Sequence, residues 1–207
     1  MFSTKHLLSL SLGAGLIIGI ASFASCSDAT SAPANDSVAS KEPKALTQEE
    51  LVARGKFLVN VAGCNDCHSP KIMTPMGPVP DTTRLLSGHP EHDQLPPPGK
   101  SPGWVLFSPD LTAAVGPWGT SFSANLTPDT SGIGTWTFDQ FRLALREGKS
   151  KGLPAARPLL PPMPWPTIGK MSDEDLSAIF AYLKSLKPVK NYVPAPLPPA
   201  EAPVAAK

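Results

Sequence analysis

The chain predicts an all-α domain in which a few separate helices are joined by long, stiff loops. Three observations carry this. Helix-start signals stand at Thr47, Thr137 and Ser172, each leading into apolar residues spaced three and four apart. Proline is abundant, at 26 of 207 residues, and most of it falls before residue 45, between 75 and 120, between 154 and 166, and after 187. Lacking an amide donor and clashing with the preceding turn, proline confines helix to what lies between those stretches. The length suits one domain with appendages rather than two full domains.

In chain order, residues 1–26 have the layout of a secretory signal. Lys5 and His6 make a polar start, Leu7 to Ala21 an apolar run, and Phe23-Ala24-Ser25-Cys26 the end. A cysteine directly after Ala-Ser looks like a bacterial lipobox, in which Cys26 is lipidated and becomes the first mature residue. Phe23 stands where such signals usually carry leucine. Two other readings stay open: an uncleaved anchor, for which the run is short, and ordinary signal cleavage leaving Cys26 as a free thiol. All three place the domain outside the cytoplasm. Residues 27–45, poor in large apolar side chains, read as a flexible tether.

A first helix is expected from Thr47, whose capping box includes Glu50. Leu51, Arg54, Gly55, Leu58 and Val61 form its apolar stripe, and Gly55 on that stripe predicts a close helix crossing. A second helix runs from the Thr137–Gln140 box through Phe141, Leu143, Ala144 and Leu145 to Gly148. The last has Ser172 as cap, Asp173, Glu174 and Asp175 at its positive end, an apolar face of Leu176, Ile179, Phe180, Leu183 and Leu186, and Pro188 as its stop. Its expected partner is the first helix, crossing at Gly55. The segments 75–104 and 112–135 read as ordered loops and turns, and residues 191–207 as an exposed Pro/Ala-rich tail. The folded domain is drawn at 46–190.

Three cysteines are present. With Cys26 in the signal, Cys64 and Cys67 remain, within Cys64-Asn65-Asp66-Cys67-His68. A C-x-x-C-H of this kind reads as covalent haem c attachment: each thiol joins one vinyl group, and His68 falls under the iron as its ligand. A thioredoxin-like pair would follow a strand, and the residues before Cys64 look helical. A zinc site would need further soft ligands that the mature chain lacks. One motif means one haem, whose apolar body gives Pro-rich loops something to pack around.

For the sixth iron ligand the best-placed residue is Met163, in a segment that proline stiffens on both sides, 95 residues beyond His68. A thioether is a weak ligand, so its loop should be preorganised, and a His/Met pair raises the potential. Met171 suits packing, and Met73 and Met76 lie too near His68 to reach the opposite face easily. His89, His92 or an open site complete the alternatives, although a loop rich in proline and charge suggests that both histidines face solvent. Trp136 and Trp165 are candidates for haem-pocket packing.

The formal charge is +1, which gives no nucleic-acid footprint and only modest long-range steering of a charged partner.

Taken together, the Arg54-Gly55 helix leading to Cys64-Asn65-Asp66-Cys67-His68, the Met163-Pro164-Trp165 element and the last helix resemble bacterial class I c-type cytochrome domains. The stretch from Ser123-Ala124-Asn125-Leu126-Thr127-Pro128-Asp129 through Gly132-Ile133-Gly134-Thr135-Trp136 to Phe141 is similar to the cytochrome subunits of membrane-bound dehydrogenases. The resemblance implies a cytochrome c-like fold, several helices around one covalent haem c, and one-electron transfer without catalysis by the chain itself. It also implies redox donor and acceptor partners in the bacterial envelope, a dehydrogenase or terminal oxidase among them; the signal and its lipobox-like end put the domain on the periplasmic side, anchored by lipid on Cys26 to the inner or outer membrane. Those subunits commonly string several such domains together, whereas this chain has one motif. The single motif favours a single-haem shuttle or a small accessory subunit, so the leading role is a one-electron carrier; the alternatives are a subunit docked permanently to a membrane dehydrogenase or oxidase and, last, a haem enzyme or small-ligand sensor with an open distal site.

Overall fold

The computed structural model describes residues 46–96 and 103–199. The expected signal, Cys26, the tether and the end of the tail lie outside them.

Helix α1 (Gln48–Val61) starts at the expected capping box. Glu50 N–H donates to Thr47 Oγ1 at 3.2 Å, and Thr47 N–H donates to Glu50 Oε2 at 2.8 Å. It leads into the short helix α2 (Cys64–His68). Helix α3 (Phe138–Arg146) has the second box, Thr137 with Gln140. A single turn, α4 (Trp165–Ile168), precedes α5 (Asp173–Ser185), where Ser172 Oγ accepts from Asp175 N–H at 3.1 Å. Helices α1 and α5 cross at Gly55, where any Cβ would run into the Ala178 carbonyl and lie 2.7 Å from Tyr182 Cβ. Arg54 beside it pairs with Asp175 at 3.0 Å.

The core joins Leu58 and Val59 of α1 with Phe141 and Leu145 of α3 and Leu176, Ile179 and Leu183 of α5, closed by Leu86 and Ile133 from the loops. Val61, last on the expected stripe, is 62% exposed, while Val59 is fully buried. At 3.6 residues per turn the stripe through Leu51 and Gly55 continues to Val59.

The all-α expectation needs correction, because two small antiparallel sheets accompany the helices. Strands β1 (Lys71–Thr74) and β2 (Gly77–Pro80) form a hairpin, and β3 (Leu106–Phe107), β4 (Ala113–Gly116) and β5 (Gly119–Phe122) a three-stranded meander. Proline hid the first pair. Pro78 and Pro80 lie two apart on a strand with one partner, so the amide that each lacks faces the unpaired edge.

The described part of the tail is largely exposed, yet it is tied to the domain at Asn191 and Leu197. Asn191 is 8% exposed; its Nδ2 donates to the carbonyls of Ser87 and His89 at 2.7 and 2.8 Å, and its Oδ1 accepts from Glu91 N–H. Leu197 exchanges backbone hydrogen bonds with Thr120. No helix among the described residues is long and apolar enough to cross a membrane.

Candidate haem site

Helix α2 carries Cys64 and Cys67 three residues apart, which puts both thiols on one face of a single turn. Neither is in a disulfide, and both are half-buried. Burial pushes the Cys64 thiol up to about 11 and raises that of Cys67, so both stay protonated at neutral pH.

The imidazole of His68 follows directly. Its Nδ1 lies 2.8 Å from the Ala124 carbonyl oxygen. A carbonyl only accepts, so Nδ1 carries the proton and Nε2 is left with the free lone pair. Burial lowers the pKa of His68, opposed by the Ala124 hydrogen bond, which favours the neutral ring that a metal requires.

Two loops give the Ala124 carbonyl its place. Leu126 N–H donates to the Leu86 carbonyl at 2.8 Å and His89 N–H to that of Ser123 at 2.9 Å, so 86–89 and 123–126 run side by side. Gly88 N–H donates to the carbonyl of His68 itself at 2.8 Å. Gly88 has φ +79°, and a Cβ there would sit 2.5 Å from Ser123 O and 2.7 Å from Ala124 O. Only glycine lets the two loops approach so closely. Ser69 adds a further tie, its Oγ accepting from Leu86 N–H and donating to Asn65 Oδ1, each at 2.8 Å.

Two thiols one turn apart, beside a neutral imidazole with one nitrogen held and the other free, fit the attachment of a haem group: they offer two sulfur bonds and one nitrogen ligand whose orientation is fixed from behind.

Met163 is half-buried and packs against the core cluster. Its loop is anchored at both ends. Ser121 Oγ on β5 donates to the Pro161 carbonyl at 2.7 Å. On the other side α4 follows at once, and Arg146 of α3 donates to the Gly169 carbonyl and pairs with Asp173 at 2.6 Å. Trp165 lies over Gly148, at the end of α3. Trp136 packs against the core, as does Met171. Met73 and Met76 are exposed on the β1–β2 hairpin, at 64% and 96%.

His89 corrects the expectation of solvent exposure. It is buried, with its ring 4.8 Å from that of Phe122 and its Nδ1 2.7 Å from Thr112 Oγ1. The buried backbone partners of the 86–89 loop draw it in, whatever the prolines around it. His92 is exposed. The residues that sequence reasoning missed are Gly88, Ala124, Ser121 and Asn191. Of these, Ala124 stood within the Ser123–Phe141 stretch that carries the resemblance, without a role, and Gly88 offered the signal of a glycine between two larger residues.

A family model described as "Cytochrome c" matches residues 52–187. The gluconate 2-dehydrogenase cytochrome c subunit of Pantoea cypripedii is 32% identical over 168 residues, covering 81% of this chain and 26% of that protein. The fructose dehydrogenase cytochrome subunit of Gluconobacter japonicus is 37% identical over 155 residues, covering 73% and 24%. The cytochrome c subunit of the quinone alcohol dehydrogenase of Gluconobacter oxydans is 29% identical over 143 residues, covering 68% and 23%. The chain thus spans about a quarter of the length of these relatives.

Proposed function

Because the chain belongs to the cytochrome c family, carrying one covalent haem c and moving single electrons, we propose that Cys64 and Cys67 hold the haem through thioethers and that His68 and Met163 are its axial ligands. The observation that supports this most is the His68 Nδ1–Ala124 carbonyl bond, which leaves Nε2 free to serve as a ligand. The bound haem supplies a one-electron iron couple. The chain's own residues do the rest. Ala124 fixes the imidazole's tautomer and raises its basicity. The Met163 loop, tied by Ser121 and followed by α4, is stiff enough that its soft sulfur would serve without a strong bond. With both side chains held by the fold, the ligand set would change little between the two oxidation states of the bound iron.

Trp136, from the loop before α3, and Trp165, from α4, are assigned to packing at the haem pocket, where their indoles would add apolar area. The domain works on the periplasmic side of the bacterial envelope, tethered through lipid on Cys26 with residues 27–45 as its leash. Three relatives are named as cytochrome subunits of gluconate, fructose and alcohol dehydrogenases. This supports a membrane dehydrogenase as the electron donor here, with the chain as its docked electron-transfer subunit. The test is purification from membranes in mild detergent. The wild-type chain is expected in the membrane fraction with a dehydrogenase bound, and Cys26→Ser in the soluble fraction. A wild-type chain that is soluble and free of partners would overturn both anchor and docking.

A further inference from the structure

The ammonium of Lys71 is held against the turn that carries the two cysteines and His68. Lys71 opens β1, a short step beyond that turn. Asp81 N–H, just past β2, donates to the Pro70 carbonyl at 2.8 Å, so the lysine stem leaves a fixed backbone. Its Nζ donates to the carbonyls of Asn65 and Asp66, each at 3.0 Å, and to that of Ser69. Asn65 and Asp66 are the residues between Cys64 and Cys67, and Ser69 is the one after His68.

These contacts fix the charge. A carbonyl only accepts, and three of them call for three hydrogens, which an ammonium has and a neutral amine lacks. Burial lowers the pKa of Lys71, opposed by Asp110, Asp66 and Cys67. Among the described residues no carboxylate forms an ion pair with it, so its charge is not cancelled by direct contact. The carbonyls of a helix's last turn carry negative partial charge. Lys71 covers those of Asn65 and Asp66 in α2.

The field of this charge reaches the His68 ring. Burial first, and then the Lys71 charge, disfavour a proton there, against the Ala124 hydrogen bond. A metal cation on the same ring would feel the same charge.

We infer that Lys71 sets the potential of the haem: its ammonium, seated on the attachment turn, holds the one-electron couple above the value that the axial ligands alone would give. This rests on the assignment of Cys64, Cys67 and His68 to the haem. The ferric group carries one more positive charge than the ferrous group, so a fixed cation nearby destabilises the ferric form more. Acceptance of an electron from the donor is thereby favoured, with no bond made or broken. Without Lys71 the positive charge is lost and the α2 carbonyls are uncovered, and both changes act in the same direction.

The test is redox titration of the haem-loaded protein, with absorption spectra recorded throughout. Lys71→Met keeps an unbranched stem and removes the charge. At a given ambient potential it should raise the ferric-to-ferrous ratio by about three- to tenfold, a fall of about 30–60 mV for one electron. The low-spin spectrum of wild type should be retained. Lys71→Arg, which keeps the charge, should restore most of the potential. Should Lys71→Met fail to load haem, Lys71→Gln takes its place, since its amide still donates two hydrogen bonds. Three results would overturn the proposal: an unchanged potential in the neutral variant, a fall in Lys71→Arg as large as in that variant, or a shift accompanied by a new ligand spectrum. Failure of the axial-ligand assignment shows elsewhere, in the spectrum of the wild-type protein itself.

Discussion

The segments around His68 and Met163 each offer one proposed iron ligand, yet the chain holds them by different means. His68 sits in a helix joined to the cysteines, and backbone groups grip it from two sides: Gly88 N–H at its carbonyl and the Ala124 carbonyl at its ring. Met163 sits in an irregular loop between prolines, tied at Pro161 by one hydroxyl and followed by a single helical turn that Arg146 holds. The histidine side is fixed by backbone at van der Waals range, and the methionine side by side-chain contacts and proline stiffness. Damage to the first should therefore cost stability and ligand geometry together. Damage to the second should loosen the ligand while the fold survives.

The largest effect is expected from Gly88→Ala. The added Cβ would meet Ser123 O at 2.5 Å in a left-handed conformation, so the two loops must part. A loss of about 1–3 kcal/mol is expected from forced overpacking alone, measured by denaturant unfolding. A rise in potential should accompany it as His68 loses the Ala124 bond that makes it more basic. Stability loss without any change of potential would separate the glycine from the ligand it is argued to serve.

Next comes Asp81, which opens the turn leading to Leu86 and Gly88. Thr83 through its hydroxyl, then Arg84, then Thr83 N–H, donate to this carboxylate and depress its pKa to about 2. A depressed carboxyl contributes stability above its unfolded value, near 4, and the contribution is lost as pH falls through the folded value. The stability gap between wild type and Asp81→Asn should be constant at neutral pH and shrink between about pH 4 and pH 2. A pH-independent gap would show that ionisation is not what holds the turn.

The smallest effect belongs to Ser121→Ala, which removes the short neutral hydrogen bond to Pro161 and a longer one accepted from Trp118 Nε1 at 3.3 Å. Stability should fall by only about 1 kcal/mol, while the reduced protein should bind carbon monoxide faster as the methionine loop loosens. Unchanged binding would mean that proline stiffness suffices there.

The same contrast explains what the sequence made legible. C-x-x-C-H, both threonine capping boxes and Gly55 are visible because each works within one turn of helix or requires one residue type. The Ala124 carbonyl is invisible because every residue has one, and it meets His68 across 56 positions. Ser121 reaches Pro161 across 40 positions and Asn191 reaches Ser87 across 104, with no periodicity to announce either. Pro78 and Pro80 argued against a strand that tolerates them only at an edge. His89 looked exposed by its neighbours in sequence, while its neighbours in space bury it. Met163 was singled out because prolines mark a preorganised loop, although the hydroxyl that holds that loop gave no sign.

The axial pair is tested most directly by redox titration of the haem in wild type and Met163→Ala, each followed through its absorption spectrum. Loss of the thioether should lower the potential sharply, since a His/Met pair is what raises it, and the oxidised protein should lose the spectrum of a methionine-ligated low-spin iron while the haem stays covalently attached. An unchanged potential and spectrum in Met163→Ala would contradict the assignment and pass the sixth position to another residue.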